Sequence, residues 1–313
     1  MPNTIAHFAV GGLVTRKLIP QASLPLVYVG CLVPDVPWIF QRFANSVFPQ
    51  VDPYQLRVYF VNQASLASSV LLSLVIAVLF VRWKTAFAIL ALGSLIHLLL
   101  DACEIKWSNG VSLFVPVSWQ LLRFDLFWPE SIWITLLTLA GFVYIIANLK
   151  TAATLPEFCK IPWRWSLAFL LLLVWFAAPF KWMDNAFLAN NHCVATLRPD
   201  RAAERPGQPV ELDRIPFKAS REGGGDLVIF GGERIRAENF DPGRDAKVSI
   251  QGRFTDIDRI RVHNSHIHHS WLREVYTYVG LVFILLVWLQ APVRRVWEWV
   301  RNQGFPIKSQ NQS

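Results

Sequence analysis

Residues 85–101 read TAFAILALGSLIHLLLD, an apolar run that ends with a histidine and an aspartate about one helical turn apart. A run of this length is about the minimum for a helix that crosses a membrane. Similar runs recur at 4–18, 24–40, 64–81, 131–148, 165–180 and 275–291. The pattern predicts a polytopic α-helical membrane protein with about 5–7 membrane segments. The number stays open because the first run is short and Pro34 and Pro37 interrupt the second, so either can be re-entrant or interfacial.

The composition of the 313-residue chain supports a membrane protein. Hydrophobic residues make up 53% of it, charged residues only 17%, and the mean hydropathy is +0.35, whereas soluble proteins average about 25% charged residues. The chain has 14 Trp and 22 Phe, and aromatic rings favour the boundary between bilayer and water. This composition excludes a disordered chain, a coiled coil and a disulfide-dense secreted scaffold.

The net charge of +8 comes from the short loops between the apolar runs. Residues 182–274 contain 14 basic and 14 acidic residues, and the rest of the chain contains 16 basic and 8 acidic residues. A positive excess confined to short loops indicates membrane orientation, not a nucleic-acid-binding face. We therefore expect the membrane, and no nucleic acid, as a partner.

The basic residues divide unequally between the two sets of loops that seven crossings would create. One set contains eleven: Arg16, Lys17, Arg82, Lys84, Lys150, Lys160, Arg164, Arg294, Arg295, Arg301 and Lys308. The other contains four: Arg42, Arg57, Lys106 and Arg123. Because cytoplasmic loops carry the excess of Lys and Arg, we expect the second set outside the cytoplasm, together with the N-terminus and residues 182–274. The C-terminus is then cytoplasmic.

Residues 182–274 differ in pattern from the rest. Turn signals such as Gly223-Gly224-Gly225 and Asp241-Pro242-Gly243 separate short alternating runs such as 226–230 and 247–250. This predicts a small all-β extracytoplasmic insert of about five strands, a barrel or a sandwich. The predicted domains are a membrane helical domain at 1–181, the β-rich domain at 182–274, and a last transmembrane helix with a cytoplasmic tail at 275–313.

The four cysteines lack the spacing of a metal or redox motif. They are Cys31, Cys103, Cys159 and Cys193. Two interpretations remain, a disulfide between Cys103 and Cys193 or isolated buried thiols, and the second is favoured.

His97 and Asp101 are the strongest candidate site residues. Their i, i+4 spacing puts both on one helix face, where they can bind a divalent metal or simply hydrogen-bond each other. The predicted orientation brings His7 and Asp35 to the same leaflet from two other segments. Because ionisable groups in membrane segments are costly, we expect His7, Asp35, His97 and Asp101 to share one divalent metal ion, zinc.

These motifs resemble those of the bacterial membrane-bound metal-dependent hydrolases. The resemblance covers residues 1 to about 135 and consists of an early histidine (His7), Gly-x-x-x-Pro-Asp (Gly30 to Asp35), His-x-x-x-Asp (His97 to Asp101) and an aromatic stretch with a proline (Trp107 to Trp119). It implies location in the bacterial inner membrane. It also implies a distant similarity to zinc-dependent phospholipases C and nucleases, and so hydrolysis of a phosphate ester in a lipid or envelope precursor at the outer face.

The chain departs from that family at two places. Many members carry a second histidine motif where residues 61–69 read VNQASLASS, and a second aspartate where Pro37 stands. His266 and His268 are candidate additional ligands, because alternation along a strand puts both on one face; the competing interpretation is a set of solvated surface histidines. Glu104 is a candidate general base or ligand, or else an interfacial carboxylate paired with Lys106.

The departure leaves a second functional class open. In it the protein is a non-enzymatic envelope component with a vestigial or structural metal site and a β domain that binds a partner. A transporter is disfavoured, because the sequence shows no pair of broken helices in two matching halves. For the hydrolase, the aromatic stretch 107–128 is expected to hold the amphiphilic substrate at the interface.

Overall fold

The computed structural model describes residues 3–152, 155–221, 223–269 and 272–303. Its helices are, in chain order, α1 (Thr4–Leu18), α2 (Leu24–Gly30), α3 (Val36–Val47), α4 (Pro53–Gln63), α5 (Leu66–Ala77), α6 (Trp83–Ala102), α7 (Ile132–Ala147), α8 (Leu149–Ala152), α9 (Pro162–Ala177), α10 (Met183–Leu188), α11 (Val194–Leu197) and α12 (Leu272–Gln303). Short 3₁₀ turns lie at Val33–Asp35, Ala178–Trp182, Asn191–Cys193, Pro199–Glu204 and Phe230–Gly232.

Four described helical segments are long and apolar enough to cross a membrane. They are Leu24–Val47, Trp83–Ala102, Pro162–Leu188 and Arg273–Gln290. The helices α4 and α5 make a fifth if they count as one span, bent by 69°. The first apolar run forms the 15-residue α1, and the fifth forms the 16-residue α7, so both fall short of the usual spanning length. If the bent pair α4 and α5 counts as one span, the described residues contain five spans, which is the lower end of the predicted 5–7.

The N-terminal end of α1 is fixed against α7. The Asn3 side chain accepts a hydrogen bond from the Ala6 N–H and donates one to the Thr138 hydroxyl, at 2.7 Å. A Cβ on Gly141 would lie 2.2 Å from the Ile5 carbonyl oxygen, so only glycine permits this approach. These contacts hold the turn of α1 that carries His7.

A second close approach joins α2 to α6. A Cβ on Gly93 would lie 3.0 Å from the Gly30 carbonyl carbon. The chain then turns through the 3₁₀ segment Val33–Asp35 at Pro34, the interruption that the sequence indicated. Asp35 is thereby placed beside the last turns of α6.

The β-rich region is a closed five-stranded barrel, which confirms the predicted barrel alternative. Its strands are β1 (Pro209–Ala219), β2 (Gly225–Val228), β3 (Arg234–Glu238), β4 (Ala246–Asp256) and β5 (Arg259–His268), in the order β1-β2-β3-β5-β4. Only the β3–β5 pairing is parallel among the strand pairs described. Within the predicted domain 182–274, the described chain forms short helices and turns before the first strand, and Ala186, Val194 and Leu197 of this stretch pack with the barrel core. Apolar side chains such as Phe217, Val248 and Ile260 fill the barrel.

The barrel packs on the loop that follows α6. The Ser108 N–H donates to Glu211 Oε2 at 2.7 Å, and Asn109 Nδ2 donates to Asp213 Oδ2 at 3.1 Å. The loop and the barrel therefore lie at the Ala102 end of α6. Basic residues of the loops that are predicted to be cytoplasmic lie at the Trp83 end of α6. There Arg16 donates to the Asn148 side chain and Arg164 donates to the Phe80 carbonyl.

All four cysteines are free. The structure has no disulfide between Cys103 and Cys193, so the favoured interpretation of isolated buried thiols is confirmed for their separation and only in part for their burial. Cys31 and Cys159 are buried, whereas Cys103 and Cys193 are partly exposed.

Candidate metal centre

Four side chains from three segments meet at the Ala102 end of α6. His7 Nε2 lies 3.4 Å from Asp101 Oδ1, and His97 Nε2 lies 3.5 Å from Asp35 Oδ1 and 3.8 Å from Asp101 Oδ2. The two imidazoles stack in parallel, with centroids 3.8 Å apart. The structure thus brings together all four residues that the sequence singled out.

The cluster is buried and its ligand atoms lack hydrogen-bond partners. His7 and His97 are 1% exposed, and both aspartates 7%. Among the described residues, no hydrogen bond is found for His7 Nδ1 or Nε2, His97 Nε2, Asp35 Oδ1 or Asp101 Oδ1. Leaving buried polar atoms without partners is costly, so the arrangement fits a cation that they would share.

The orientation of His97 leaves its Nε2 available to bind a metal. Its Nδ1 hydrogen-bonds the Cys31 carbonyl, which can only accept, so Nδ1 carries the proton. In the neutral ring Nε2 then presents a lone pair to two carboxylates. A backbone carbonyl on the other ring nitrogen is the usual support of a metal-bound histidine. His7, His97 and Asp101 offer ligand atoms within 4.8 Å of one another, and the histidine–carboxylate donor set suits zinc.

Glu104 lies outside this cluster. The helix α6 ends at Ala102, so the face shared by Asp101 and Glu104 in a continuing helix does not exist. Glu104 is 1% exposed, and its Oε2 lies 3.4 Å from Lys106 Nζ, which is the ion pair of the alternative interpretation. The same ammonium lies 3.1 Å from Asp101 Oδ2.

Nearby charges shift the pKa values of Lys106 and Glu104. Burial alone would lower the pKa of Lys106, but the carboxylates of Asp101 and Glu104 outweigh burial and raise it. Burial alone would raise the pKa of Glu104, but nearby positive charges, Lys106 among them, lower it. Both groups are therefore charged at neutral pH.

His266 and His268 do not join the first cluster but form a second one with Glu130. Glu130 Oε1 lies 2.8 Å from His268 Nδ1, and Glu130 Oε2 lies 3.5 Å from His266 Nε2. The two histidines share one face of β5, as alternation predicted, and His266 stacks on Trp128 at 3.8 Å. His268 is 9% exposed, so it is not a solvated surface residue.

This second group can also hold a metal ion by its geometry, but it already contains a cation. Arg214 Nη1 lies 3.0 Å from Glu130 Oε1 and 3.2 Å from His268 Nδ1. No local sequence pattern points to Glu130, because its partners come from the barrel.

A cavity of about 590 Å³ separates the barrel from the helices and reaches the first cluster. Asp101 and Lys106 line one side of it, and Asp213 and Arg214 of the barrel line another. Arg57 and His192, which sequence analysis did not select as site residues, also line it. The predicted aromatic stretch contributes Ser108 to Ser112, whereas its Phe114 and Val117 are exposed.

Comparison of the chain with models of known protein families, with curated proteins and with solved structures gives no match.

Proposed function

We propose that this protein is a membrane-bound, metal-dependent hydrolase that cleaves a phosphate ester in a lipid or envelope precursor. One observation carries the proposal. Buried ligand atoms of His7, His97 and Asp101 lie within 4.8 Å of one another, with Asp35 Oδ1 3.5 Å from His97 Nε2, and among the described residues they include atoms of all four side chains that lack hydrogen-bond partners. The choice of a phosphate ester follows from the resemblance of residues 1 to about 135 to the membrane-bound metal-dependent hydrolases.

The chemistry follows from this donor set. A divalent metal in such a site lowers the pKa of bound water towards about 7 and polarises a phosphoryl oxygen. His97 is held in the ligating orientation by the Cys31 carbonyl. The buried Lys106 ammonium lies beside Asp101 and lines the cavity, where its charge stabilises the negative charge of a phosphate group.

Insertion in the bacterial inner membrane is part of the proposal. Large apolar side chains are exposed along three helices, among them Leu139 and Val143 on α7, Phe169 on α9 and Leu286 on α12. An exposed apolar surface of this extent marks contact with lipid or protein. The basic residues at the far end of α6 then lie on the cytoplasmic side, with the barrel and the metal centre on the outer side.

The proposal is tested on purified full-length protein loaded with zinc. Metal content is measured together with hydrolysis of p-nitrophenyl phosphate and bis(p-nitrophenyl) phosphate. Loss of a mere supporting residue costs roughly 10–100-fold in metal affinity, so His97→Ala and Asp101→Asn are expected to lose more than that, and hydrolysis with it. The exposed His263→Ala should retain both, and His192→Ala should retain metal.

Two results would contradict the proposal. If wild-type protein loaded with zinc contains no stoichiometric metal, the proposed metal centre is refuted. Metal bound by wild type and lost by His97→Ala, but without hydrolysis of either ester, would favour the envelope component with a structural site, which the histidine-free stretch 61–69 supports.

A further inference from the structure

Arg57 on α4 is a cation whose hydrogen-bond partners are all neutral. Its guanidinium donates to Gln41 Oε1 at 3.2 Å, to Asn109 Oδ1 at 3.2 Å and to His192 Nδ1 at 2.8 Å. Its Nε is buried and has no hydrogen-bond partner, and no ion pair of Arg57 is found within the described parts of the chain. The carboxylate of Asp213 is close enough to act on the Arg57 charge, but its oxygens hydrogen-bond Asn109 and Ser249.

The surroundings fix the guanidinium at the cavity wall. The ring centroid of Trp38 lies 4.7 Å from Arg57 Cζ and that of Phe230 lies 5.4 Å away. Burial and the neighbouring Arg57 charge hold the pKa of His192 well below its usual value, so its Nδ1 is free to accept. His192 has a left-handed φ of 60°, and Cys193 a φ of 54°. Such conformations are strained and persist only where the surroundings impose them.

A partly buried cation with no directly paired carboxylate is unfavourable, and a guanidinium is the side chain that best matches the oxygens of a phosphate. The cavity that Arg57 lines also reaches Asp101 and Lys106, and its volume is in the range of small-molecule sites. A ligand in this cavity can therefore contact Arg57 and the metal centre together.

The helix α3 indicates that this ligand is amphiphilic. Its side chains Gln41, Arg42 and Asn45 line the cavity. On the same helix, Phe43 and Val47 are 61% and 48% exposed. One helix thus presents a polar surface to a headgroup and an apolar surface to an alkyl chain.

We propose that Arg57 is an anion-binding residue that recognises the phosphate headgroup of a membrane amphiphile in the cavity between helices and barrel. The inference rests on the proposed function for the identity of this ligand as substrate, because it names the substrate class of that site. Binding of the anion by Arg57 itself needs no metal.

The test measures binding by calorimetry to the full-length protein in neutral detergent after removal of metal by EDTA. The probes are n-dodecyl phosphate and inorganic phosphate. Wild type is expected to bind n-dodecyl phosphate, and Arg57→Gln to bind it at least about tenfold more weakly, since a charge-assisted hydrogen bond contributes roughly 1.5–3 kcal/mol. Arg261→Gln is the control, because Arg261 is exposed on β5 and pairs with Glu238 outside the cavity.

The two probes distinguish the sources of the anion. Arg57-dependent binding of n-dodecyl phosphate alone supports a membrane amphiphile, whereas equal binding of inorganic phosphate would overturn the lipid assignment. Binding that Arg57→Gln leaves unchanged, or no binding to wild type, would overturn the anion site. If Arg57→Gln does not fold, Arg57→Lys decides: it keeps the charge without the planar fork, and unchanged affinity would contradict the inference.

A failure of the proposed function can be distinguished from a failure of the Arg57 site. Metal-free wild type is expected to bind n-dodecyl phosphate whether or not the zinc-loaded protein hydrolyses either ester. Intact anion binding in a protein that never binds metal would refute the hydrolase and leave the Arg57 site standing.

Discussion

At the scale of single residues, contact with an imidazole distinguishes the carboxylates that are candidate metal ligands from the carboxylate that only forms an ion pair. Asp35 and Asp101 lie beside imidazole nitrogens that lack hydrogen bonds, and Asp101 also pairs with Lys106, whereas Glu104 pairs with Lys106 and lies outside the cluster of imidazoles. The sequence could not make this distinction for Glu104, because it depends on where α6 ends. One more helical turn would have put Glu104 beside Asp101.

Replacement of Glu104 tests this difference. We expect Glu104→Gln to lower the stability by about 1–3 kcal/mol, because Lys106 loses a charged partner at a buried position. Metal content should be unchanged. Thermal unfolding and metal analysis check both, with the exposed Glu204→Gln as control. An unchanged melting temperature together with lost hydrolysis would instead assign a catalytic role to Glu104.

At the scale of elements, glycine contacts set the geometry of the candidate metal centre. His97 reaches the Cys31 carbonyl because α2 and α6 touch at Gly30 and Gly93. The spacing of His97 and Asp101 within one helix was readable from the sequence. The positions of His7 and Asp35 relative to that pair rest on contacts between distant segments, which no local pattern encodes.

Gly93→Val is therefore expected to act on the metal centre from a distance. The added side chain forces α2 away from α6, and overpacking of this kind costs about 1–3 kcal/mol. Metal affinity should fall along with stability, because the Cys31 carbonyl moves off His97. Ala88→Val, at an exposed position of α6, is the matched control. Metal affinity that stays at the wild-type level in a destabilised Gly93→Val would refute this link.

At the scale of the whole molecule, Glu130 connects the helices to the barrel. It precedes α7 and contacts His268 and Arg214 of the barrel. Burial alone would raise the pKa of Glu130, but its hydrogen bonds to His266 and His268 and the charge of Arg214 hold the pKa well below the usual range. No sequence signal could reveal this contact, since it exists only once the barrel has docked.

The depressed pKa of Glu130 predicts acid sensitivity of the docked state. A carboxylate whose pKa is lower in the folded state contributes stability above its unfolded pKa of about 4.3, and this contribution is lost as the pH falls below that value. Glu130→Gln should lack it and melt a few degrees lower at pH 7, with a smaller further loss down to pH 3. Melting curves at both pH values, with Glu204→Gln as control, check this. Equal pH dependence of wild type and Glu130→Gln would contradict it.

The proposed orientation of the whole chain follows from the separation of two surfaces along α6. The helix spans 20 residues, about 30 Å, with the barrel at one end and basic loops at the other.

The orientation is tested by labelling cells whose outer membrane has been opened and whose inner membrane is intact. In a variant without native cysteines, Ser220→Cys on the barrel is expected to react with a membrane-impermeant maleimide in these cells. Lys160→Cys, near the opposite end, should react only after the inner membrane is disrupted. Both positions are exposed, so access alone determines labelling. Labelling of Lys160→Cys before the inner membrane is disrupted, and of Ser220→Cys only afterwards, would invert the orientation. The candidate metal centre would then lie on the cytoplasmic side.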